Sequence, residues 1–539
     1  MKKVKRISLF ILSTMLVATT VLTGCGKKYS NQSAKKSTNT LTIGFTSDFG
    51  TLDVQKTTDS YTVPLNIFDR LVETETVKGK PQQVPGLAES WKVSDDGLVY
   101  TFKLRKGVKF QNGETLKADD VLYTFDRMLD PKTKALNTDF LDMIAGADDR
   151  MNGKADSTSG LKVIDDYTIQ ITLSKPFAPF IANLATPACS IYNRKATTEA
   201  GDKFGIDPAL TIGTGPFKTK SWKVNDNLVL VANPDYYKGK PALAEIDMKI
   251  VPDVNTQRML FETGKLDVLD CDNVTSQIPY FEGSAKWKNN IVTGQRVGLD
   301  YYCLNEKIKP FDDVKVRKAL QLAIDRKTLL NKLYNGKGKV ENGIMPYGLM
   351  GYNSKLSQIP YDQKKAKELL KEAGYPDGFT MTISQISDHP SMLKINQAVQ
   401  SMLSEVGIKV QINQMDESSY YALRKQGQMQ CYENNWSADY NDPDNFFYTL
   451  FSAKNTVTRS FNYSNEDSFA KLEDARKMTN QNDRIKLYQE LEKTIAQDDA
   501  AWIPLFSQQH LFVVQSYVKN FKVAWNGWSD MKYYGITVQ

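Results

Sequence analysis

The 539-residue chain sets 69 Lys and Arg against 62 Asp and Glu, a formal charge of +7, with 41% hydrophobic and 24% charged residues. This is the balance of a globular protein large enough for two big lobes or about three ordinary domains. Four of the positive charges (Lys2, Lys3, Lys5, Arg6) precede Cys25, which leaves +3 for the remainder. So small an excess, with no dense basic stripe interleaved with aromatics, predicts no nucleic-acid partner. His389 and His510 are the only histidines, which excludes three- and four-histidine metal centres; no metal or cofactor is expected.

The N-terminus has the three parts of an export signal. Met1 to Arg6 is basic, Ile7 to Leu22 is mostly apolar, and Leu22-Thr23-Gly24-Cys25 follows. Ser8, Ser13, Thr14, Thr19 and Thr20 make the apolar run a poor membrane span. The LTGC quartet resembles the lipobox of bacterial lipoproteins. That implies a signal peptide over residues 1–24 and a lipid on Cys25, leaving an extracytoplasmic protein anchored to the cell membrane. Residues 25–40 are polar and read as a flexible tether. Cys189, Cys271, Cys303 and Cys431 form no CxxC pair and are expected to be buried small hydrophobes.

Structure is expected to begin with an alternating strand at Leu41 to Phe45. Pro85 to Gly113 reads PGLAESWKVSDDGLVYTFKLRKGVKFQNG, with turns at Asp95-Asp96-Gly97 and Lys106-Gly107 around a strand from Val99 to Leu104. Helix character runs from Leu116 to Met128. A Gly213-Thr-Gly-Pro-Phe217 turn precedes a strand near Leu228–Val231 and the run Asn233-Pro-Asp-Tyr-Tyr237. One helix is expected from Phe311 through Arg326, with an Asp cap at its start and Gly336 beyond its end. A second covers Lys364 to Lys371, before the loop Glu372 to Gly378.

The stretch Asn434 to Asn445, NNWSADYNDPDN, sets Asp439 between Trp436 and Tyr440, before an Asp442-Pro443-Asp444-Asn445 turn. Two readings are open from the residues alone. An Asp near Pro and Asn forms turns and caps helices. A carboxylate walled by aromatic rings also receives a cation with apolar surroundings.

The Pro85–Gly113 run closely resembles the signature of the extracellular solute-binding proteins of family 5, from peptide and nickel uptake systems. The GTGPF turn, the helix from Asp313 to Arg326 and the EAGYPDG loop are similar to later segments of that family. Trp436-Ser-Ala-Asp-Tyr-Asn441 resembles the W-ADYN segment of its oligopeptide-binding members, where the aspartate pairs with the peptide α-ammonium. The resemblance implies an α/β protein of the two-lobed periplasmic-binding-protein class. Lobe I would cover residues 41–300 with an extra subdomain near 55–210, lobe II residues 301–500, and residues 501–539 would return to lobe I. Two segments, near 296–305 and 500–509, would cross between the lobes.

The same resemblance implies a monomeric receptor. It would enclose an oligopeptide and dock on the permease of an importer whose ATPase subunits lie elsewhere. Asp439 would anchor the ammonium beside Trp436 and Tyr440, while Asn435 and Ser437 would offer backbone groups to the peptide main chain. Arg424 falls where some members hold the ligand carboxylate. Tyr301, Tyr302 and Phe506 would supply aromatic walls, and Asp48, Phe49 and Gly50 would approach the ligand backbone. Glu433 departs from the pattern, because the similar oligopeptide binder has an arginine there for the ligand C-terminus.

Dipeptides, an oligosaccharide or a nickel complex on the same scaffold are the alternatives. A more distant one is a serine acyl-enzyme acting on cell-wall peptides, suggested by Ser391-Met-Leu-Lys394 and Tyr463-Ser-Asn465. A KTG-type triplet is missing downstream, so no enzyme is expected.

Overall fold

A computed structural model describes residues 39–58, 60–527 and 531–539. Cys25, the signal segment and all but the end of the tether lie outside the described residues. No described helix is long and apolar enough to cross a membrane.

One long strand, Trp502–Val514, organises the main sheet. It is buried except at Gln508 and Gln509, as suits a near-continuous apolar run covered on both faces. Its first half pairs antiparallel with Gly298–Leu304 and with Gly338–Val340. Beyond Gly298–Leu304 lie Cys431–Ser437, Thr380–Ile386 and Lys409–Met415, the last two parallel. Its second half pairs antiparallel with Ile291–Gln295 and Val268–Asp270. From there the sheet continues through Thr40–Phe45, Glu245–Ile250, Asn227–Ala232 and Phe217–Lys223. The chain therefore passes between two half-sheets twice, between Gln295 and Gly298 and again around Ser507 to Gln509.

Each half has its own apolar filling. Leu41, Ile43, Phe217 and Phe512 lie in one core, and Leu304, Leu320, Ile383 and Phe506 in another. A separate four-stranded antiparallel sheet, Ala88–Val93, Val99–Leu104, Thr168–Thr172 and Leu161–Asp165, carries a third core. Alternation explains it: Tyr100, Phe102 and Leu104 turn inward while Lys103 stays exposed. The helix Ala118–Leu129 covers this sheet with Val121, Phe125 and Met128.

The helix expected as one piece from Phe311 to Arg326 is two, Val314–Ala323 and Arg326–Leu333. Asp325 is the reason. Its carboxylate accepts from the Thr328 N–H at 2.9 Å and the Thr328 hydroxyl at 2.7 Å, capping a new helix. Cys189, Cys271, Cys303 and Cys431 are all buried and unbridged.

The small sheet domain touches the half-sheet that holds Cys431–Ser437. The Ala178 N–H donates to the Arg476 carbonyl at 2.8 Å. The Arg476 guanidinium lies 4.6 Å from the Phe177 ring centre, and Asn441 Nδ2 donates to the Pro81 carbonyl at 3.0 Å.

Candidate functional site

The strand Cys431–Ser437 is paired along one edge and largely open on the other. Gly298–Leu304 matches it over its whole length, whereas Thr380–Ile386 reaches only Cys431 and Tyr432. Residues 433–437 thus have no strand neighbour on that side among the described residues, and Asn435 is exposed. Close approach of the paired edge depends on Gly298, where a Cβ would come within 2.6 Å of Ser437 Oγ.

After the strand, Asp439 is fixed by Asn445 at the start of the helix Asp444–Phe451. Asn445 Nδ2 donates to Asp439 Oδ2 at 2.9 Å, and the Asp439 N–H donates to Asn445 Oδ1 at 3.0 Å. Trp436 Nε1 donates to the same Oδ1 at 3.3 Å, so one buried amide positions both residues.

The three acids of the stretch have different partners. Asp442 receives both arms of Arg484, at 2.6 and 2.7 Å, with both side chains buried. Asp444 lies 3.2 Å from Arg476 and accepts from the Tyr440 and Tyr488 hydroxyls. Asp439 has no ion pair among the described residues. Burial pushes its carboxyl up to about 6 and Asp139 adds to that, while Asn445 and the more distant charge of Arg459 work against it.

Asp439 opens into a cavity of about 420 Å³ shared by distant parts of the chain. Tyr61, Phe140, Trp525 and Tyr534 supply its aromatic rings, and Arg70, Glu73 and Lys532 supply charge. A second cavity, of about 270 Å³, shares Met531 with the first and is lined by Thr46, Ser47, Asp48 and Phe49.

Several expected site residues occupy other environments. Tyr440 does not wall Asp439: its hydroxyl turns to Asp444, and its ring meets Phe140 edge-on at 6.3 Å. Trp436 lies under the Arg459 guanidinium, 4.8 Å from the ring centre. Tyr301 is packed in a core between Phe461 and Trp502, and Tyr302 is buried with its hydroxyl on Asn396 at 2.7 Å. Phe506 is likewise fully buried, against Tyr334. The cause is alternation on strands covered on both faces, which sends these rings into cores and away from the cavity.

Arg424 stacks over Tyr421 at 4.7 Å and is not among the residues around Asp439. The Asp48 carboxylate is taken by Trp222 Nε1 at 2.7 Å and the Asn225 N–H, Phe49 is buried, and Gly50 has φ +66°. Glu433, opposite Tyr302, is 8% exposed, and burial with Asp300 nearby raises it to about 8.

Ser391 and Lys394 are exposed in the first turns of the helix Pro390–Ser404. The Tyr463 hydroxyl instead bonds Ser468 and Asp499, and Asn465 bonds Asp499. Both ring nitrogens of His510 are engaged, by Asp270 at 3.1 Å and Asp272 at 2.8 Å. Burial alone would lower its pKa, but the two carboxylates outweigh that and raise it to about 9.

Comparison with known proteins places this geometry. The model described as bacterial extracellular solute-binding proteins, family 5 Middle, matches residues 82–457. Heme-binding protein A of Haemophilus influenzae is 30% identical, over 97% of this chain and 98% of its own. The dipeptide-binding protein of Escherichia coli is 32% identical, over 80% and 82%. Among solved structures, HbpA2 from Haemophilus parasuis superposes with a TM-score of 0.81 at 29% identity, over 93% of this chain and all of the other. DppA from Helicobacter pylori, in complex with the peptide STSA, gives 0.76 at 30% identity, over 93% and 98%. With a family match across most of the chain and relatives aligned nearly end to end, this protein belongs to the bacterial extracellular solute-binding proteins of family 5.

Proposed function

We propose that this protein is the peptide receptor of an ABC importer, held at the membrane by a lipid on Cys25. It captures oligopeptides outside the cell and delivers them to a permease. The observation that carries the reading is the unequal pairing of the three acids. Asp442 and Asp444 have arginine partners, whereas Asp439 has only the Asn445 amide and faces a cavity. A half-buried carboxylate with no ion pair among the described residues is stabilised by a ligand that brings a cation.

The open edge at residues 433–437 supplies the second element. An extended peptide laid along it gains main-chain hydrogen bonds that every residue can make, which gives affinity with little sequence preference. Asn435 and Ser437 lie on this edge, and Trp436 is fixed behind it by Asn445. Relatives named for dipeptide and glutathione binding, and a neighbour holding STSA, support peptide as the ligand class.

Mass spectrometry of small molecules released when the purified protein is denatured tests the proposal. Short peptides of mixed sequence are expected. A released sugar, heme or metal complex in place of peptide would return Asp439 to a purely structural role.

A further inference from the structure

Glu433 stands where the open edge begins, at the point where Thr380–Ile386 turns away. Alternation puts its side chain on the same face of the sheet as Asn435. Asp300, the partner of Asn435 on the neighbouring strand, shares that face. The two acids are thus diagonal neighbours across one strand pair, 8% and 5% exposed. Asp300 accepts from Gln508, whereas Glu433 has no hydrogen bond or ion pair among the described residues. Neither acid is sealed from solvent: the buried side-chain atoms that lack both water contact and a partner include no oxygen of either.

No cation answers this charge. Arg296 acts on Asp300 only from a distance and lies 3.8 Å from Asp272, and nothing positive faces Glu433. Burial raises Asp300 to about 6, and burial with Asp300 beside it raises Glu433 to about 8. Two carboxylates sharing a site repel, and a cation between them removes the repulsion and favours both ionised forms.

We infer that Glu433 and Asp300 form a side-chain subsite that selects peptides carrying a cationic residue, lysine or arginine, several positions from the N-terminus. This rests on the peptide reading and names the substrate class within it. A peptide with its ammonium at Asp439 and its main chain on the open edge runs from Ser437 towards Glu433, advancing about 3.3 Å per residue. Residues directly opposite on paired strands point to the same face. The peptide residue opposite Glu433 therefore sends its side chain to the two acids, and the residues on either side of it do not. A lysine or arginine stem is long enough to cross one strand spacing of about 4.8 Å towards Asp300.

Titration calorimetry near pH 7.5, where Asp300 is ionised, tests the subsite with pentaalanine and its single replacements. Lysine is placed at each position in turn and compared with norleucine, which has a similar stem without the charge. At one position lysine is expected to bind at least roughly tenfold more tightly than norleucine, the worth of a charged hydrogen bond. At the positions on either side the two should bind about equally. Glu433→Gln and Asp300→Asn should each shrink the preference, and the double variant should erase it. Glu433→Gln removes an unpaired charge at constant size, so it retains the fold even where Asp300→Asn, which alters the Gln508 bond, does not. A lysine-to-norleucine ratio near one at every position, with pentaalanine still bound, overturns this inference and leaves the peptide reading standing. A preference that Glu433→Gln leaves unchanged overturns it equally. Failure of every peptide to bind overturns both.

Discussion

At the scale of single residues, partners separate the acids tied into the fold from the one we assign to the ligand. Asp439, Asp442 and Asp444 are chemically alike and lie within one short stretch. What separates them is Arg484 and Arg476, arginines more than thirty positions later. The stretch itself displays an acid among aromatics, so Asp439 was legible as a candidate through the resemblance. Asn445, which orients it, reads only as a turn residue. Arg70, Phe140 and Trp525, on other sides of the cavity, carry no local signal because they meet Asp439 only in three dimensions.

Two predictions belong to this scale. Asp439 titrates near pH 6 in the free protein, and a bound ammonium favours its ionised form. Peptide affinity should therefore be full above that pH and decline below it, measurable by calorimetry from about pH 5 to 8. A flat profile would mean that Asp439 does not meet the ammonium.

The second concerns Glu433. An unfolded glutamate titrates near about 4.3, whereas the buried one is held up to about 8. Between these values the folded chain retains a proton the unfolded chain has lost, so stability falls as pH rises through that window. A tenfold difference in proton affinity between the two states is worth about 1.4 kcal/mol. Glu433→Gln should therefore stabilise the protein by a few kcal/mol at pH 8 and change little at pH 4. Urea unfolding at the two pH values reads the difference, and equal effects at both would count against a buried, uncharged Glu433.

At the scale of elements, the decisive one is the strand Cys431–Ser437, with one edge open over residues 433–437. The resemblance pointed to main-chain pairing at Asn435 and Ser437, but not to which edge would be free, because that depends on Thr380–Ile386 diverging after Tyr432. The same limit governs Tyr301, Tyr302 and Phe506. Their strands were anticipated as bridging segments, yet both faces are covered and the rings fill cores. The split at Asp325 shows a local cap dividing a segment that the resemblance implied as one helix. If the open edge reads peptide main chain, N-methylation of one edge-facing peptide nitrogen should weaken binding roughly tenfold, the ~1.4 kcal/mol of one hydrogen bond and its crowding. Swapping side chains at the same position should do much less, and the reverse order in a competition assay would argue against strand addition.

At the scale of the molecule, two half-sheets share the long strand Trp502–Val514 and are joined by two short passages, a topology suited to hinge closure around a ligand. The two-lobed α/β class was legible from ordered motifs, above all Pro85–Gly113, which folds as the strands and turns of the small sheet domain. The composition of the cavity was not, since it draws on that domain, on the loop after Cys431–Ser437 and on the C-terminal residues at once. Closing such a site around a peptide makes each buried charge pair count, and the pairing at Asp439 is where the account stands or falls.

Its most direct test is calorimetric titration of trialanine into the intact protein and into Asp439→Asn, which keeps the size of the side chain and removes the charge. Losing one member of a buried ion pair costs ~3–5 kcal/mol, so at least a roughly hundredfold weakening is predicted. Affinity unchanged by Asp439→Asn would contradict the assignment of Asp439 as the ammonium anchor.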